Sequence, residues 1–165
     1  MWAPVQVMVT MVPDRVEATY RRVHDRLWRA LLSYCGDPEV ASDAESEAFA
    51  QALARGDAIE NLESWVWRSS FKIANGMLAT RSPLTAVPDR PDGSIPFSAV
   101  EFLDELSELS PQQRACIVLR YVAQFEPAGI ADILDTTPNT VSVQLHRAHS
   151  ALRLDRSTAR DQETR

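Results

Sequence analysis

Residues 110–153 form the stretch of this chain that most restricts its fold. Ser110 is a good N-cap, Pro111 suits the first helical position, and Gln113 stands where a reciprocal capping box requires it. The sequence therefore predicts a helix that starts at Pro111. The inward face of this helix is predicted to carry the apolar residues Ile117, Val118, Tyr121, Val122 and Phe125.

Two further helices are predicted within the same stretch. Glu126 and Pro127 interrupt the apolar stripe, and Pro127 begins a short helix. Asp135 falls where the chain must turn sharply, at a position that favours glycine but tolerates Asp better than most residues. Thr137 can cap the last helix, whose inward stripe is Val141, Leu145, Ala148 and Leu152. This order of elements predicts a helix-turn-helix.

The outward face of the last helix carries the candidate contacts to DNA. A helix-turn-helix can lay this helix in the major groove, where the amides of Asn139 and Gln144 suit adenine. The predicted contact residues are Asn139, Thr140, Ser142, Val143, Gln144, His146 and Arg147. The spacing by itself fits equally well an ordinary helical hairpin whose polar face is solvated.

Composition predicts an all-α fold. The 165 residues are 45% hydrophobic, only five are glycine, and runs of β-branched residues are rare. Residues 82–98 contain four prolines and no helical period, so they are predicted to be a linker. We expect two small helical modules, residues 14–81 and 99–155, the second a helix-turn-helix domain of winged-helix-like type. Residues 1–13 and 156–165 are predicted to be a flexible arm and a flexible tail.

Three helices are predicted in the first module, over residues 15–34, 38–54 and 62–80. Glu39, Asp43, Glu45 and Glu47 make the second helix strongly acidic, which favours a protein partner over nucleic acid. The first helix carries a basic strip, which fits contact with DNA phosphates, contact with an acidic partner or a solvated face. The strip consists of Arg22, Arg26 and Arg29.

The third helix mixes aromatic and basic side chains. It contains Trp65, Trp67, Arg68, Phe71 and Lys72. Aromatic rings can stack on unpaired bases while basic groups neutralise phosphates, so this pattern fits a nucleic-acid surface. In the alternative interpretation Trp65, Ile73 and Leu78 belong to the core, and only part of the helix meets DNA.

Several functional classes are not expected from this sequence. It has no catalytic triad, glycine-rich phosphate loop or paired metal ligands, so we expect no enzymatic activity, cofactor, metal or small-molecule substrate. Cys35 and Cys116 lie outside any CxxC pattern and are expected to be reduced, mostly buried thiols of a cytoplasmic protein. The apolar residues 1–13 are too few to span a membrane, and no membrane insertion is expected.

The charge balance is acidic. The chain has 23 Asp and Glu against 17 Lys and Arg, a formal net charge of −6. A DNA-binding protein that acts alone normally depends on a positive surface for much of its affinity. We therefore expect this chain to bind DNA weakly by itself and to need a larger partner.

A resemblance to bacterial sigma factors of the extracytoplasmic-function (ECF) group appears when the segments are taken together. The fourth conserved region of that group resembles LSPQQRACIVLRYVAQF, GIADIL and NTVSVQLHRAHSALR. The second conserved region resembles VASDAESEAFAQAL at 40–53 and NLESWVWRSSFKIANGMLATR at 61–81. The two modules stand in the order that the family uses.

The resemblance implies partners and site residues. It implies binding to core RNA polymerase through Asp43, Glu47 and Phe49. It implies contacts to the downstream promoter element through Trp67, Arg68, Phe71 and Lys72, and to the upstream element through the outward face of the last helix. It also implies an anti-sigma factor as a partner, and a linker that threads through polymerase.

Some positions depart from the family pattern. Ser142 and Gln144 stand where Lys and Arg are common, and His149 replaces a common Arg. Fewer phosphate contacts are therefore expected from the last helix. Lys72 stands where Asn is frequent, and Ser46 where Gln is usual.

The sequence predicts a sigma factor that binds core polymerase and directs promoter recognition and transcription initiation. One alternative is a sigma-like interaction protein that occupies polymerase or an anti-sigma factor without initiating. The other is a stand-alone helix-turn-helix regulator.

Overall fold

The computed structural model describes the backbone of residues 5–80 and 97–163 and the side chains of residues 13–80 and 102–152. Within these ranges the chain contains helices and turns and no strand, so the predicted all-α fold is confirmed and the helix-turn-helix carries no wing there. The chain divides into two compact units, Met1–Arg81 and Ser82–Arg165. Each unit is described separately below.

The first unit consists of three helices packed on one another. Helix α1 is Val5–Cys35, α2 is Pro38–Arg55, and α3 is Leu62–Thr80, with a short 3₁₀ turn at Gly56–Ala58. Asp37 caps α2 by accepting hydrogen bonds from the backbone N–H groups of Glu39 and Val40. The shared core includes Val23, Leu27, Leu31, Val40, Ala44, Ala48, Val66 and Trp67.

Helix α1 begins earlier than the sequence predicts. The expected start was Arg15, behind a flexible arm over 1–13, but the helix runs from Val5 with Pro13 inside it. Proline has a φ that fits a helix and removes one hydrogen bond, so it marks a weak point rather than an obligatory end. Residues 1–4 lie outside the described residues.

The second unit contains the predicted helix-turn-helix. Helix α4 is Phe97–Ser107, α5 is Pro111–Ile117, α6 is Pro127–Leu134, and α7 is Pro138–Glu163. The capping box at the start of α5 is confirmed, because Ser110 and Gln113 each bond to the other's backbone N–H. Most of the predicted linker, residues 82–96, lies outside the described residues, and its last two positions belong to α4.

A π-helical segment, Val118–Val122, follows α5 and changes which of the later side chains face the core. One extra residue per turn rotates later side chains relative to an α-helix. Tyr121, predicted to face inward, is 56% exposed, whereas Leu119 and Ala123 are fully buried. The predicted inward position of Tyr121 is therefore wrong.

Helix α7 continues past the expected boundary at residue 155 and ends at Glu163. Residues 156–163 belong to the predicted flexible tail, residues 156–165. They include no glycine or proline, so nothing in their local sequence stops the helix.

Candidate nucleic-acid interface

The turn between α6 and α7 has the backbone conformation that the sequence predicts. Asp135 adopts the left-handed conformation, with φ 52° and ψ 53°. The N–H of Thr136 bonds to the carbonyl of Ala131 at 3.0 Å, and Thr137 Oγ1 accepts from the N–H of Thr140 at 3.2 Å. These bonds end one helix and cap the next within three residues, which makes the predicted helix-turn-helix.

The predicted DNA-contact residues of α7 lie on the surface of the second unit. Val141 and Ala148 are fully buried, while Leu145 and Leu152 are half-buried, so the inward stripe is oriented as predicted. Thr140 and Gln144 are half-buried at the edge of the outward face. The exposed members of the predicted set are Asn139, Ser142, Val143, His146 and Arg147.

Three polar side chains of the predicted DNA-contact set have hydrogen-bond partners within the second unit. Ser142 Oγ donates to the carbonyl of Pro138 at 3.0 Å, and the hydroxyls of Thr140 and Thr137 are 2.9 Å apart. Gln144 Nε2 donates to Oε1 of Gln112 in α5 at 3.3 Å. The two hydroxyls are thus bonded locally, whereas Gln144 is held by a different helix.

A second contact between elements of this unit was missed by the sequence analysis. Tyr121 Oη lies 2.9 Å from Nε2 of His149, and the two rings meet edge to face at 5.7 Å. The π-helical segment turns Tyr121 outward to reach His149, and periodicity gave no signal for it. Within the side chains that the structure describes, no group of three or more His, Cys, Asp and Glu is arranged to hold a metal ion.

Two of the residues predicted to contact the downstream element lie in the core of the first unit. Trp67 is 1% exposed and Phe71 is 4% exposed. They are four residues apart on the face of α3 that packs on α1, where the Phe71 ring lies 5.3 Å from that of Tyr34. The predicted role of Trp67 and Phe71 in stacking on bases is therefore wrong for this conformation. Arg68 and Lys72 are exposed, as a DNA-contacting surface requires.

An open groove of about 450 Å³ lies beside Arg68, and it contains an aromatic side chain that the sequence interpretation had left as a core candidate. Trp65 is half-buried in this groove, and the guanidinium of Arg55 lies 5.4 Å from the centre of its ring. The groove therefore combines an accessible aromatic face with two arginines. Its lining also includes Ala58, Ile59, Glu60, Asn61 and Ser64.

The loop that forms one wall of this groove is held in place by Arg15 of α1. Arg15 Nη2 donates to the carbonyls of Ile59 and Glu60, at 2.6 and 2.8 Å. Asn61 Oδ1 accepts from the N–H of Ser64 at 3.1 Å and caps α3. The loop therefore has fixed backbone positions on both sides of Glu60.

The predicted basic strip on α1 is largely engaged within the unit. Arg22 and Arg26 both bond to the carboxylate of Glu63, at 3.0 and 3.3 Å. Arg29 donates to the carbonyl of Asp25 at 3.0 Å. Because one carboxylate binds two guanidinium groups, less positive charge is available to DNA than the sequence suggests.

Two of the three residues of α2 that are predicted to bind polymerase are exposed to solvent. Asp43 and Glu47 are exposed, but Phe49 is 7% exposed. The Phe49 ring packs edge to face on Tyr20 of α1 at 5.1 Å. Phe49 is therefore a core residue, and its predicted place in the contact surface is wrong. One turn later Leu53 is 49% exposed and adds an apolar side chain to this face.

A buried acid also lies on α2, facing α1. Glu45 is 4% exposed, and its carboxylate oxygens lie 2.8 and 3.0 Å from Nδ1 of His24. Burial raises the pKa of Glu45 above its ordinary value, while the contact with His24 lowers it in part. This acid therefore belongs to the packing of α1 on α2 and not to the exposed acidic face.

The two cysteines differ in burial. Cys116 is fully buried in α5, and burial raises its pKa to about 11. The thiolate is the reactive form, so it is scarce at neutral pH. Cys35 is half-buried at the end of α1.

Comparison with known proteins finds one matching region and a set of similar sigma factors. Residues 99–152 match the family model described as sigma-70, region 4. The matched residues include α5, α6 and the predicted contact face of α7. The chain is 24% identical over 153 residues to the ECF RNA polymerase sigma factor SigW of Bacillus subtilis, covering 78% of this chain and 82% of that protein. The matches support an assignment to the ECF sigma factors.

Other sigma factors match over different lengths. ECF RNA polymerase sigma factor SigG of Mycobacterium tuberculosis is 38% identical over 79 residues, which is 48% of this chain. The match spans about a fifth of that relative, 20% of its length. The RNA polymerase sigma-E factor of Streptomyces coelicolor is 27% identical over 159 residues, covering 90% of this chain and 89% of that protein.

Solved structures support the fold of this chain. CnrH, in complex with the cytosolic domain of CnrY, matches with a TM-score of 0.73 and 14% identity, covering 92% of this chain and 96% of that one. The sigma factor RpoE of Bartonella quintana, in complex with the anti-sigma factor NepR, matches with a TM-score of 0.71 and 20% identity, covering 83% and 93%. In the described parts of the chain, no helix has the length and apolar character needed to cross a membrane.

Proposed function

We propose that this chain binds core RNA polymerase in the cytoplasm and directs it to promoter DNA, where transcription begins. The observation that carries the proposal is the surface of α7, inside the segment that matches sigma-70 region 4. It presents exposed amide, hydroxyl and basic groups on a helix-turn-helix. Side chains of this kind bond to base edges and phosphates in the major groove.

Electrostatics supports a requirement for polymerase. Residues 138–154 contain no acid, so the proposed recognition helix is locally favourable for DNA. The whole chain has a net charge of −6, which opposes binding to a phosphate backbone. A large partner that holds α7 against the upstream element removes the need for high intrinsic affinity.

The first unit is proposed to contact the downstream element through α3 and the groove in front of it. Arg68 and Lys72 are exposed on α3 and can contact phosphates. The half-buried ring of Trp65, flanked by Arg55, can stack on an unpaired base. Trp65 and Arg55 thus take the role that the sequence had given to Trp67 and Phe71.

Polymerase is proposed to bind the exposed face of α2. Asp43 and Glu47 lie one turn apart on this face, and Leu53 extends it toward the end of the helix. A partner surface with basic groups and an apolar contact would complement it. An anti-sigma factor is a further proposed partner, because the fold matches a sigma factor solved with one.

Reconstituted transcription tests the proposal. Core polymerase with the chain should give promoter-dependent transcripts from a genomic template, and core polymerase alone should not. Arg147→Ala should weaken promoter binding evenly across sequences and reduce its salt dependence. Arg21→Ala, which removes an exposed arginine from α1, is the matched control and should leave promoter binding unchanged.

The outcomes separate three functions. Core binding without any promoter-dependent transcript would contradict initiation and favour the sigma-like interaction protein. Sequence-specific DNA binding without core binding would favour a stand-alone regulator. Promoter-dependent transcripts that require both components support the sigma-factor proposal.

A further inference from the structure

Among the predicted DNA-contact residues of α7, Gln144 is held by a side chain of another helix. Its Nε2 donates to Oε1 of Gln112, 32 residues earlier in the chain, at 3.3 Å. Gln112 is exposed at the second position of α5. The capping box of Ser110 and Gln113 fixes the backbone on both sides of it.

The bond leaves Gln144 with the groups that adenine recognition needs. A side-chain amide has two N–H donors and an oxygen acceptor, and Gln112 uses one donor. One N–H and the oxygen then remain in the same plane. Adenine presents an acceptor, N7, and a donor, the N6 amino group, side by side in the major groove.

Fixing the amide matters because a glutamine side chain is flexible. An unrestrained glutamine loses rotamer freedom when it binds a base, and its amide can present donor and acceptor in either order. The bond to Gln112 limits these rotamers before DNA arrives, and in the arrangement of this structure the Gln112 oxygen accepts from Nε2. Such preorganisation increases affinity and discrimination without an additional contact to DNA.

We propose that Gln112 is a positioning residue that orients the amide of Gln144 to read one adenine in the upstream promoter element. The proposal rests on the proposed function, because it assumes that α7 reads promoter DNA. Gln112 acts through Gln144 and need not touch the base itself.

A double-mutant cycle tests this role. Holoenzyme carrying the wild-type chain, Gln112→Ala, Gln144→Ala or both substitutions is bound to promoter DNA in which each upstream base is varied. Gln144→Ala should lower discrimination at one adenine by roughly fivefold or more, within the range for a bidentate amide contact. Gln112→Ala should lower discrimination at that same position by about threefold or more, and the double variant should lose no more than Gln144→Ala.

Two further variants separate positioning from structural support. Gln112→Glu retains an acceptor for Nε2, so it should keep the base preference even if added negative charge lowers overall affinity. Glu108→Gln, at another exposed position close to the start of α5, should leave every base preference unchanged. Thermal unfolding of the same variants should show that the changes in base discrimination do not follow changes in stability.

The results distinguish failure of this proposal from failure of the proposed function. If the wild-type holoenzyme shows no sequence preference, the proposed function fails and the role of Gln112 fails with it. If the wild type discriminates normally, either of two results overturns the role of Gln112 alone. These are unchanged discrimination in Gln112→Ala, or additive losses at different base positions.

Discussion

Nδ1 of His24 lies 2.8 Å from one carboxylate oxygen of Glu45 and 3.0 Å from the other, which joins α1 to α2 in the first unit. The side chain of Glu45 is 6% exposed, and burial raises its pKa above the ordinary value of 4.5. For a group whose pKa is raised by folding, the stabilising contribution is complete below the unfolded pKa. It is lost as pH rises through the folded pKa.

This relationship predicts how Glu45→Gln changes stability with pH. The variant removes ionisation but keeps the size of the side chain. As pH falls from 7 toward 4.5, the unfolding free energy of the wild type should rise relative to that of Glu45→Gln. Chemical denaturation at several pH values measures the difference, with Glu47→Gln as the exposed control. If the unfolding free energy of the wild type instead falls relative to that of Glu45→Gln toward acid pH, the prediction is contradicted.

Truncation of the same residue should have a larger effect at neutral pH. Glu45→Ala leaves His24 without its carboxylate partner and creates a small cavity between α1 and α2. We expect a loss of about 1–3 kcal/mol in unfolding free energy. Denaturation of Glu47→Ala, whose side chain is exposed on the same helix, should show less than about 0.5 kcal/mol. Equal losses in the two variants would exclude the structural role of Glu45.

Glu63→Gln should increase non-specific DNA binding. Glu63 bonds to both Arg22 and Arg26, whose side chains are 58% and 41% exposed. Neutralising it removes the negative charge that both guanidinium groups face, so the salt dependence of DNA binding should steepen by about one to two phosphate contacts. Stability should change by less than about 1 kcal/mol because the ion pairs are exposed.

The control for this experiment is Glu17→Gln. It changes the net charge by the same amount but affects a single exposed ion pair, that of Arg21 within α1. Titration of duplex DNA at several salt concentrations compares the two variants. The same increase in both would show that net charge, and not the arginine pair at Glu63, controls binding.

Two tryptophans of α3 should separate stability from DNA binding. Trp67 is 1% exposed, so Trp67→Ala should lower the unfolding free energy by about 3–5 kcal/mol. Trp65→Ala removes an accessible ring and its contact with Arg55, at an expected cost of about 0.5–1 kcal/mol. Trp65→Ala should instead weaken binding of single-stranded promoter DNA to the holoenzyme. Unimpaired DNA binding in this variant would contradict the stacking role of Trp65.

The helix ends that a cap or a turn residue sets were predicted well, whereas the start of α1 and the end of α7 were not. The capping box of Ser110 begins α5 as predicted, and the predicted boundary between the first two helices lies where Gly36 ends α1 with φ 68° and Asp37 caps α2. The turn at Asp135 has the same local origin. These features depend on backbone donors and acceptors that neighbouring residues satisfy, so they can be predicted without knowledge of packing.

Which side chains point into the core was harder to predict, because packing between helices determines it. Trp65 and Trp67 are both aromatic, but the buried face of α3 runs through Val66, Trp67 and Ser70. Phe49 likewise turns from the acidic face of α2 to meet Tyr20. The π-helical segment that contains Tyr121 has no marker in the sequence, and the pairs His24–Glu45 and Gln112–Gln144 each join residues distant in the chain.

The turn residue of the helix-turn-helix provides a prediction about backbone conformation. Asp135 has φ 52°, in the left-handed region where a β-branched side chain collides with its own backbone. Asp135→Val should therefore lower the unfolding free energy by about 1–2 kcal/mol, whereas Asp135→Gly should stay within about 1 kcal/mol of the wild type.

Ala128→Val is the matched control for Asp135→Val, because it places the same side chain at an exposed position inside α6. Helix propensity predicts a cost below about 0.7 kcal/mol there. Since α7 takes its direction from this turn, Asp135→Val should also weaken promoter binding by the holoenzyme, while Ala128→Val should not. Denaturation and promoter titration measure both effects, and a valine at 135 that is tolerated as well as one at 128 would show that the left-handed turn is not required.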